Sequence, residues 1–441
     1  MGHENAPGNM GLLDQNMALN WVYNNIQFFG GDNTKITIFG ESAGSASTSL
    51  HLLSPLSAPF FKSAIMQSGS AMSEWATLDN SVSLQRNTEY LQNLGCKGTT
   101  FEMIECARKI PAKDLLTKSD EYFYTRCDAS IMQFPYLPVV DGYFLLEEPI
   151  TLLNKGKFKK CPIMLGVNKD EANWFYIYQF ADYRNLTVLP PVNYEMHKTL
   201  LSSLFTFYPQ FPSRATKQII DAILYKYTPW DNVHNVKKNI EMIDDAPADY
   251  HFICPALDFA GTFATNQLDV FFYYFTQRAT NHLWPEWFGV LHADEIQFVF
   301  GEPLYENKYA QPGFSEEEKV FTRKLLKYWS NFARYDNPNG YQVEVKNEHV
   351  INLDKKEPEP LNLTTLTLKQ YIEPWPKYKV LFDPESDEQK AHLVLNAAKI
   401  EIGYSLRSDY CSFWNSYLPN LILNQRKLKT YICLQTYLEY S

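Results

Sequence analysis

Gly40-Glu41-Ser42-Ala43-Gly44 follows the β-rich run Lys35-Ile36-Thr37-Ile38-Phe39 and opens a small-residue stretch, Ala43 to Leu53, that Ser54-Pro55 ends. Strand, sharp turn at a serine, then helix is a layout that lifts a hydroxyl clear of the backbone, and the flanking glycines let the chain pass closely enough to do so. The N–H of Ala43 would then face the oxygen on which charge develops when a serine attacks a carbonyl. The five residues alone are a weak signal, since a chain of this length shows G-x-S-x-G by accident about once in seven. The strand before and the helix after give the pattern its meaning.

Outward from this turn, Leu12, Leu19, Val22 and Ile26 recur at helical spacing until Gly30-Gly31-Asp32. Ser63 to Met66, Pro162 to Gly166 and Asp269 to Phe275 are short apolar runs that read as buried strands. Ser315-Glu316-Glu317-Glu318 is a capping box that opens a helix with Phe321, Leu325 and Trp329 on its apolar face, stopping near Asn337-Pro338. Strands alternating with helices predict an α/β fold with a mainly parallel central sheet flanked by helices. Length alone suggests about three domains for 441 residues. No linker or repeat marks a boundary, so one large domain is expected.

Composition narrows the function. Hydrophobic residues make up 45% and charged residues 20%, which excludes a disordered chain. A net charge of −10 argues against nucleic-acid binding and favours neutral or cationic small molecules. No apolar run reaches the roughly 18 residues of a transmembrane helix. A serine hydroxyl near neutral pH needs a base, and the base an orienting acid, in the chain order Ser, acid, His. Nine histidines compete; His292, in Gly289-Val290-Leu291-His292-Ala293-Asp294-Glu295, lies in a loop-like stretch beyond the 269–275 strand. Glu171 follows the strand Ile163-Met164-Leu165-Gly166, at the carboxyl end where open α/β sheets place their sites. The bland reading of Glu171, which the pattern also allows, is a cap for a helix starting at Asn173.

The stretches Asn5-Ala6-Pro7-Gly8-Asn9-Met10-Gly11-Leu12-Leu13-Asp14-Gln15, Phe29-Gly30-Gly31-Asp32, Phe39 to Gly44 and His51-Leu52-Leu53-Ser54-Pro55 resemble the type-B carboxylesterase and cholinesterase family. Gln67-Ser68-Gly69, Pro138-Val139-Val140-Asp141-Gly142, Lys169-Asp170-Glu171, His292-Ala293-Asp294-Glu295 and Trp329-Ser330-Asn331-Phe332-Ala333-Arg334 continue the match in order. The resemblance implies an α/β-hydrolase fold over 1–423, with 424–441 a tail outside it. It implies a serine ester hydrolase with Ser42 as nucleophile, Glu171 and His292 completing the triad and Ala43 in the oxyanion hole, without cofactor or metal. It is closest to the acetylcholinesterases, and so implies acetylcholine as the ester. On that reading Glu41 faces a quaternary ammonium and Trp75, Met132 and Phe134 bound the acyl group. Trp174, Phe175, Tyr178 and Trp284 line the choline side, where aromatic faces attract ammonium ions. Each of these aromatics is equally readable as plain core.

The resemblance also shows departures. Asp294 stands where vertebrate cholinesterases carry Tyr, and Met132 is more pliable than an aromatic. In the family the Asn5–Gln15 motif lies well inside the domain; the glycine-rich turn with the other oxyanion donors and the main choline-site tryptophan precede it. Neither is in this sequence, which therefore reads as an N-terminally truncated member with an uncovered sheet edge. The resemblance pairs Cys96 with Cys106 and Cys254 with Cys411, leaves Cys127 and Cys161 as buried thiols, and says nothing of Cys433. These pairs and the sequons at Asn185 and Asn362 point to a secreted or cell-surface glycoprotein, while the segment from Met1 has no signal-peptide pattern. The regions 216–224 and 412–423 resemble the family's dimer contact. A broad carboxylesterase, and a catalytically impaired fragment or neuroligin-like binding protein, are the competing readings.

Overall fold

The computed structural model describes residues 2–124, 132, 134–179, 188–208, 213–305, 313–340, 345–346, 349–350, 372–380 and 389–424, with the side chains of 123, 124, 177–179 and the 345–350 strands left out. Its main sheet runs in the order β1 (Thr37–Glu41), β2 (Ser63–Gln67), β3 (Ile163–Asn168), β4 (Val270–Phe275), then β7 (His392–Leu395) and β8 (Glu401–Gly403). The first five are parallel and β8 is antiparallel to β7. β5 (Val345–Lys346) and β6 (His349–Val350) form a separate antiparallel pair. The predicted strands stand in place, except that β1 starts at Thr37, because Asn33–Lys35 winds into a 3-10 turn capped by Asp32.

The apolar runs are explained by burial on both faces, as expected where helices cover each side of a parallel sheet. Successive side chains point to opposite faces. Ala64, Met66, Ile163, Leu165, Val270 and Phe272 pack on one side with the Ala43–Leu53 and Cys254–Thr265 helices. Ile65, Met164, Phe271, Tyr273, Leu393 and Leu395 pack on the other, against Phe321, Leu325, Tyr328 and Trp329 of the Glu316–Tyr335 helix. That helix begins at the predicted capping box, with Ser315 Oγ accepting from Glu318 N–H and the Glu318 carboxylate accepting from Ser315 N–H. Gly166 has a physical reason in β3: a Cβ there would stand 2.3 Å from the Tyr273 ring of β4.

β1 pairs only with β2 among the described residues. Phe39 of β1 is 53% exposed, its ring 6.2 Å from that of Phe300, and Phe28 and Phe29 are exposed as well. The carboxyl ends of β1, β2 and β3 lie side by side, presenting Glu41 and Ser42, Gln67, and Asn168. The chain after β4 returns to this end, where Leu291 bridges Asp170 in parallel.

Candidate active site

Ser42 sits between β1 and the Ala43–Leu53 helix with φ 56° and ψ −119°, a conformation that a residue with a Cβ holds only when its surroundings impose it. Its N–H donates to Gln67 O at 2.9 Å, which fastens the turn to β2. The turn needs Gly40: a Cβ there would stand 2.3 Å from the backbone carbonyl of Gly44. A Cβ on Gly69 would come within 2.9 Å of the Ser42 carbonyl oxygen.

Glu171 is not a helix cap. It is fully buried, one oxygen accepting from Asn168 N–H at 2.7 Å and the other lying 2.5 Å from His292 Nδ1. This contact places a proton on Nδ1 and leaves Nε2 as the ring nitrogen facing away from Glu171. Nε2 faces Glu41 Oε1 at 3.2 Å, and neither atom has a hydrogen-bond partner among the described residues. Glu41 is the residue before Ser42 in the chain, and His292 Nε2 makes no hydrogen bond to Ser42; such bonds commonly tighten only when a ligand is bound.

Burial lowers the affinity of His292 for a proton, but Glu171, through charge and hydrogen bond, then Glu41 and Glu295, overturn this and raise it to about 9. Burial pushes Glu41 up to about 8, against the pull of His292. Glu295, fully buried, is also raised by burial, although Gln67 Nε2 (2.9 Å) and Asn168 Nδ2 (2.7 Å) donate to its two oxygens. Trp329 Nε1 in turn donates to Gln67 Oε1 at 3.0 Å. Sequence reasoning gave Gln67, Asn168 and Glu295 no role. The available signal was a polar residue closing each wholly apolar strand, Gln67 in β2 and Asn168 in β3.

The aromatic residues divide into two groups. Trp75 is buried, donates through Nε1 to His251 O at 2.9 Å, and meets Phe134 edge-on at 6.5 Å. Met132 is buried in the same core. Phe175 lies 5.4 Å from the His292 ring, while Trp174 meets Trp284 edge-on at 5.0 Å. Tyr178 falls on the Asn173–Gln179 helix, its side chain outside the described residues. Phe252 was missed: its ring is 4.8 Å from His292, 5.6 Å from Trp75 and 6.0 Å from Phe175. Asp294 braces the loop that carries His292, accepting from Leu291 N–H at 2.7 Å and facing His282 Nε2 at 2.9 Å. Among the described residues no cluster of His, Cys, Asp and Glu is arranged to hold a metal ion.

The model of the carboxylesterase family matches residues 1–414. The chain belongs to the carboxylesterase family. With membership comes the α/β-hydrolase fold, of which the mainly parallel sheet and its flanking helices are the expression. Over 424 residues, 96% of the chain, it is 35% identical to an acetylcholinesterase of Bungarus fasciatus and 37% identical to a cholinesterase of Mus musculus. Acetylcholinesterase 1 of Caenorhabditis briggsae is 35% identical over 436 residues. The chain spans 62% to 64% of the length of these relatives.

Both disulfides implied by the family resemblance are present, Cys96–Cys106 and Cys254–Cys411, with Cα separations of 5.6 and 5.2 Å. Cys161 is a buried free thiol. Cys127, Cys433 and the sequons at Asn185 and Asn362 lie outside the described residues, as does 425–441 of the tail. Among the described residues no helix is long and apolar enough to cross a membrane.

Proposed function

We propose that this chain carries the catalytic centre of a serine carboxylic-ester hydrolase acting on choline esters. The observation that supports it most directly is His292, held by Glu171 through Nδ1 at the carboxyl end of the sheet beside the strained Ser42 turn. Ser42 Oγ attacks the ester carbonyl as His292 Nε2 takes its proton, and the charge on the carbonyl oxygen is met by Ala43 N–H. His292 then returns the proton to the leaving alcohol, and water attacks the acyl-enzyme by the same route. Glu171, bonded to Nδ1, orients the ring and stabilises the imidazolium that forms.

The choline preference rests on charge and aromatic faces. Glu41, Glu171 and Glu295 surround a single imidazole, which favours a cationic ligand. Phe175, Trp174 and Trp284 supply rings on the Glu171 side, and cation–π contact there adds about 0.5–2 kcal/mol each. Trp75, Phe134 and Met132 bound the acyl side. Met132, unbranched and pliable, favours a broader carboxylesterase as the second reading. Comparing kcat/KM for acetylthiocholine, butyrylthiocholine and p-nitrophenyl acetate separates the two. An acetyl preference with loss of the uncharged ester supports the first, and equal use of all three the second. Absence of both turnover and fluorophosphonate labelling at Ser42 would sink the hydrolase reading and leave a binding scaffold.

Two disulfides in a chain with a large core support an extracellular setting. The Lys217–Lys226 helix is tied to the C-terminal helical region by Lys226–Asp409 at 3.1 Å, with Tyr225 and Tyr417 exposed nearby in the chain. These aromatics support a homodimer through this face, which sedimentation of a Tyr225→Ser/Tyr417→Ser variant would shift to monomer.

A further inference from the structure

The helical run from Val236 to Thr265 is interrupted by a π turn, Asp249–Ile253, where Cys254 N–H donates five residues back to Asp249 O. Prolines stand on both sides of it, Pro247 and Pro255, and neither has an N–H to give to the carbonyl four residues earlier. Those carbonyls belong to Ile243 and His251. Each is taken by a side chain: Tyr176 OH donates to Ile243 O, and Trp75 Nε1 donates to His251 O at 2.9 Å. The extra residue of a π turn gives the side chains within it directions a regular helix would not. Here it delivers Phe252, fully buried, onto the His292 ring at 4.8 Å, with Phe175 stacked beside it at 17°.

The other side of the turn is gripped. Asp249, fully buried, accepts from Arg407 Nε at 2.9 Å, from Arg407 Nη2, and from Tyr227 OH at 2.8 Å. Arg407 Nη1 reaches Asp245 Oδ2 at 3.0 Å, and its guanidinium lies 3.9 Å over the Tyr410 ring. Trp414 Nε1 donates to Tyr227 OH at 2.6 Å, and Cys254–Cys411 ties the end of the turn to the same C-terminal region. A two-pronged guanidinium–carboxylate contact fixes direction as well as distance, which an ammonium cannot do.

We propose that Arg407 is a positioning residue of the site: through Asp249 it holds the π turn so that Phe252 caps His292 and closes the acyl side of the pocket against Trp75. This rests on the hydrolase reading for its consequence in turnover. Arg407 touches no substrate, and acts through the placing of one ring.

The test is Arg407→Lys, which keeps the charge and loses the fork, measured beside Phe252→Ala. The expected result is that both variants move kcat/KM for acetyl over butyryl esters in the same direction, towards butyryl, by about tenfold, the scale of one methylene's discrimination. In parallel, the His292 Cε1–H resonance, assigned by His292→Asn, should lose in both variants the ring-current displacement that Phe252 imposes. If Arg407→Lys does not fold, the double variant Asp249→Asn/Arg407→Gln removes both charges together and is read in the same way. A folded variant whose ester ratio and His292 resonance match the parent overturns the proposal. So does an equal fall on both esters that tracks thermal unfolding, which is what a merely structural contact gives. A parent chain that hydrolyses neither ester refutes the hydrolase reading instead, and the resonance alone then decides the placing of Phe252.

Discussion

Replacing Glu171 by Gln isolates the contact on which the proposed chemistry depends. Gln keeps the shape and still accepts from Asn168 N–H, but it removes the charge 2.5 Å from His292 Nδ1. In the parent, burial works against protonated His292, yet Glu171, Glu41 and Glu295 together raise it from 6.5 to about 9. That rise is worth about 3 kcal/mol at 1.36 kcal/mol per tenfold. Glu171 is the largest of the raising influences, so its loss should bring the histidine down from about 9, with burial then opposed only by Glu41 and Glu295. The sign fixes where stability changes. A group raised on folding stabilises the fold fully below its unfolded value of 6.5, and that stabilisation fades as pH rises through about 9. Denaturation of parent and Glu171→Gln should therefore differ by up to about 3 kcal/mol more at pH 6 than at pH 9.5. The same energy stabilises the imidazolium that forms as Ser42 attacks, so kcat/KM for p-nitrophenyl acetate should fall by about two to three orders of magnitude. NMR titration of His292 provides the direct check. A variant that still titrates near 9, or that loses less than about tenfold in rate, refutes the assignment of Glu171 as the orienting acid.

Other outcomes follow from the same contacts. Glu41→Gln removes a charge that raises His292, so the alkaline rise of kcat/KM should move to lower pH, while KM for acetylthiocholine increases more than KM for an uncharged ester. Gly40→Ala forces a Cβ to within 2.3 Å of the Gly44 carbonyl, and should abolish fluorophosphonate labelling of Ser42 while lowering thermal stability. Met132→Phe should narrow the acyl side and raise the acetyl-to-butyryl ratio of kcat/KM by about tenfold. Ser42→Ala should remove turnover and label together, with the His292 titration retained.

The sheet was legible because a parallel strand buried on both faces is a continuous apolar run, and Ile163-Met164-Leu165 or Val270-Phe271-Phe272 has no other plausible reading at that length. The Ser42 turn was legible because Gly40 is a steric requirement written into the chain. Glu171 was ambiguous for a physical reason: a carboxylate three residues past a strand and two before a helix serves a helix end as readily as a distant imidazole, and only the fold brings His292 within reach. Phe252 was hidden more deeply. In an apolar helix every aromatic looks like core, and what turns this one towards His292 is an inserted residue in the hydrogen-bond ladder, which no hydrophobic period records. The two prolines eight residues apart were the trace it left.

The polar residues missed at the strand ends explain how a site with three carboxyls can be built at all. Glu41, Glu171 and Glu295 converge on one imidazole, and three adjacent carboxylates, two of them fully buried, would repel one another strongly. The chain answers by giving them different surroundings. Glu171 has a backbone N–H and the imidazole; Glu295 has the neutral amides of Gln67 and Asn168, themselves held by Trp329 and by the carbonyl of Leu291. Glu41 Oε1 has no hydrogen-bond partner among the described residues, and burial raises it to about 8. Glu41 therefore changes its charge close to neutral pH, next to Ser42 in the chain and 3.2 Å from His292 Nε2. A bound ammonium group would lower it back towards the ordinary carboxylate range, releasing a proton as the cation takes its place. Proton release on binding a quaternary ammonium ligand, measured by calorimetry in buffers of different ionisation enthalpy, should be present in the parent near pH 7 and absent in Glu41→Gln. Release of equal size in both would mean that the charge the ligand meets belongs elsewhere.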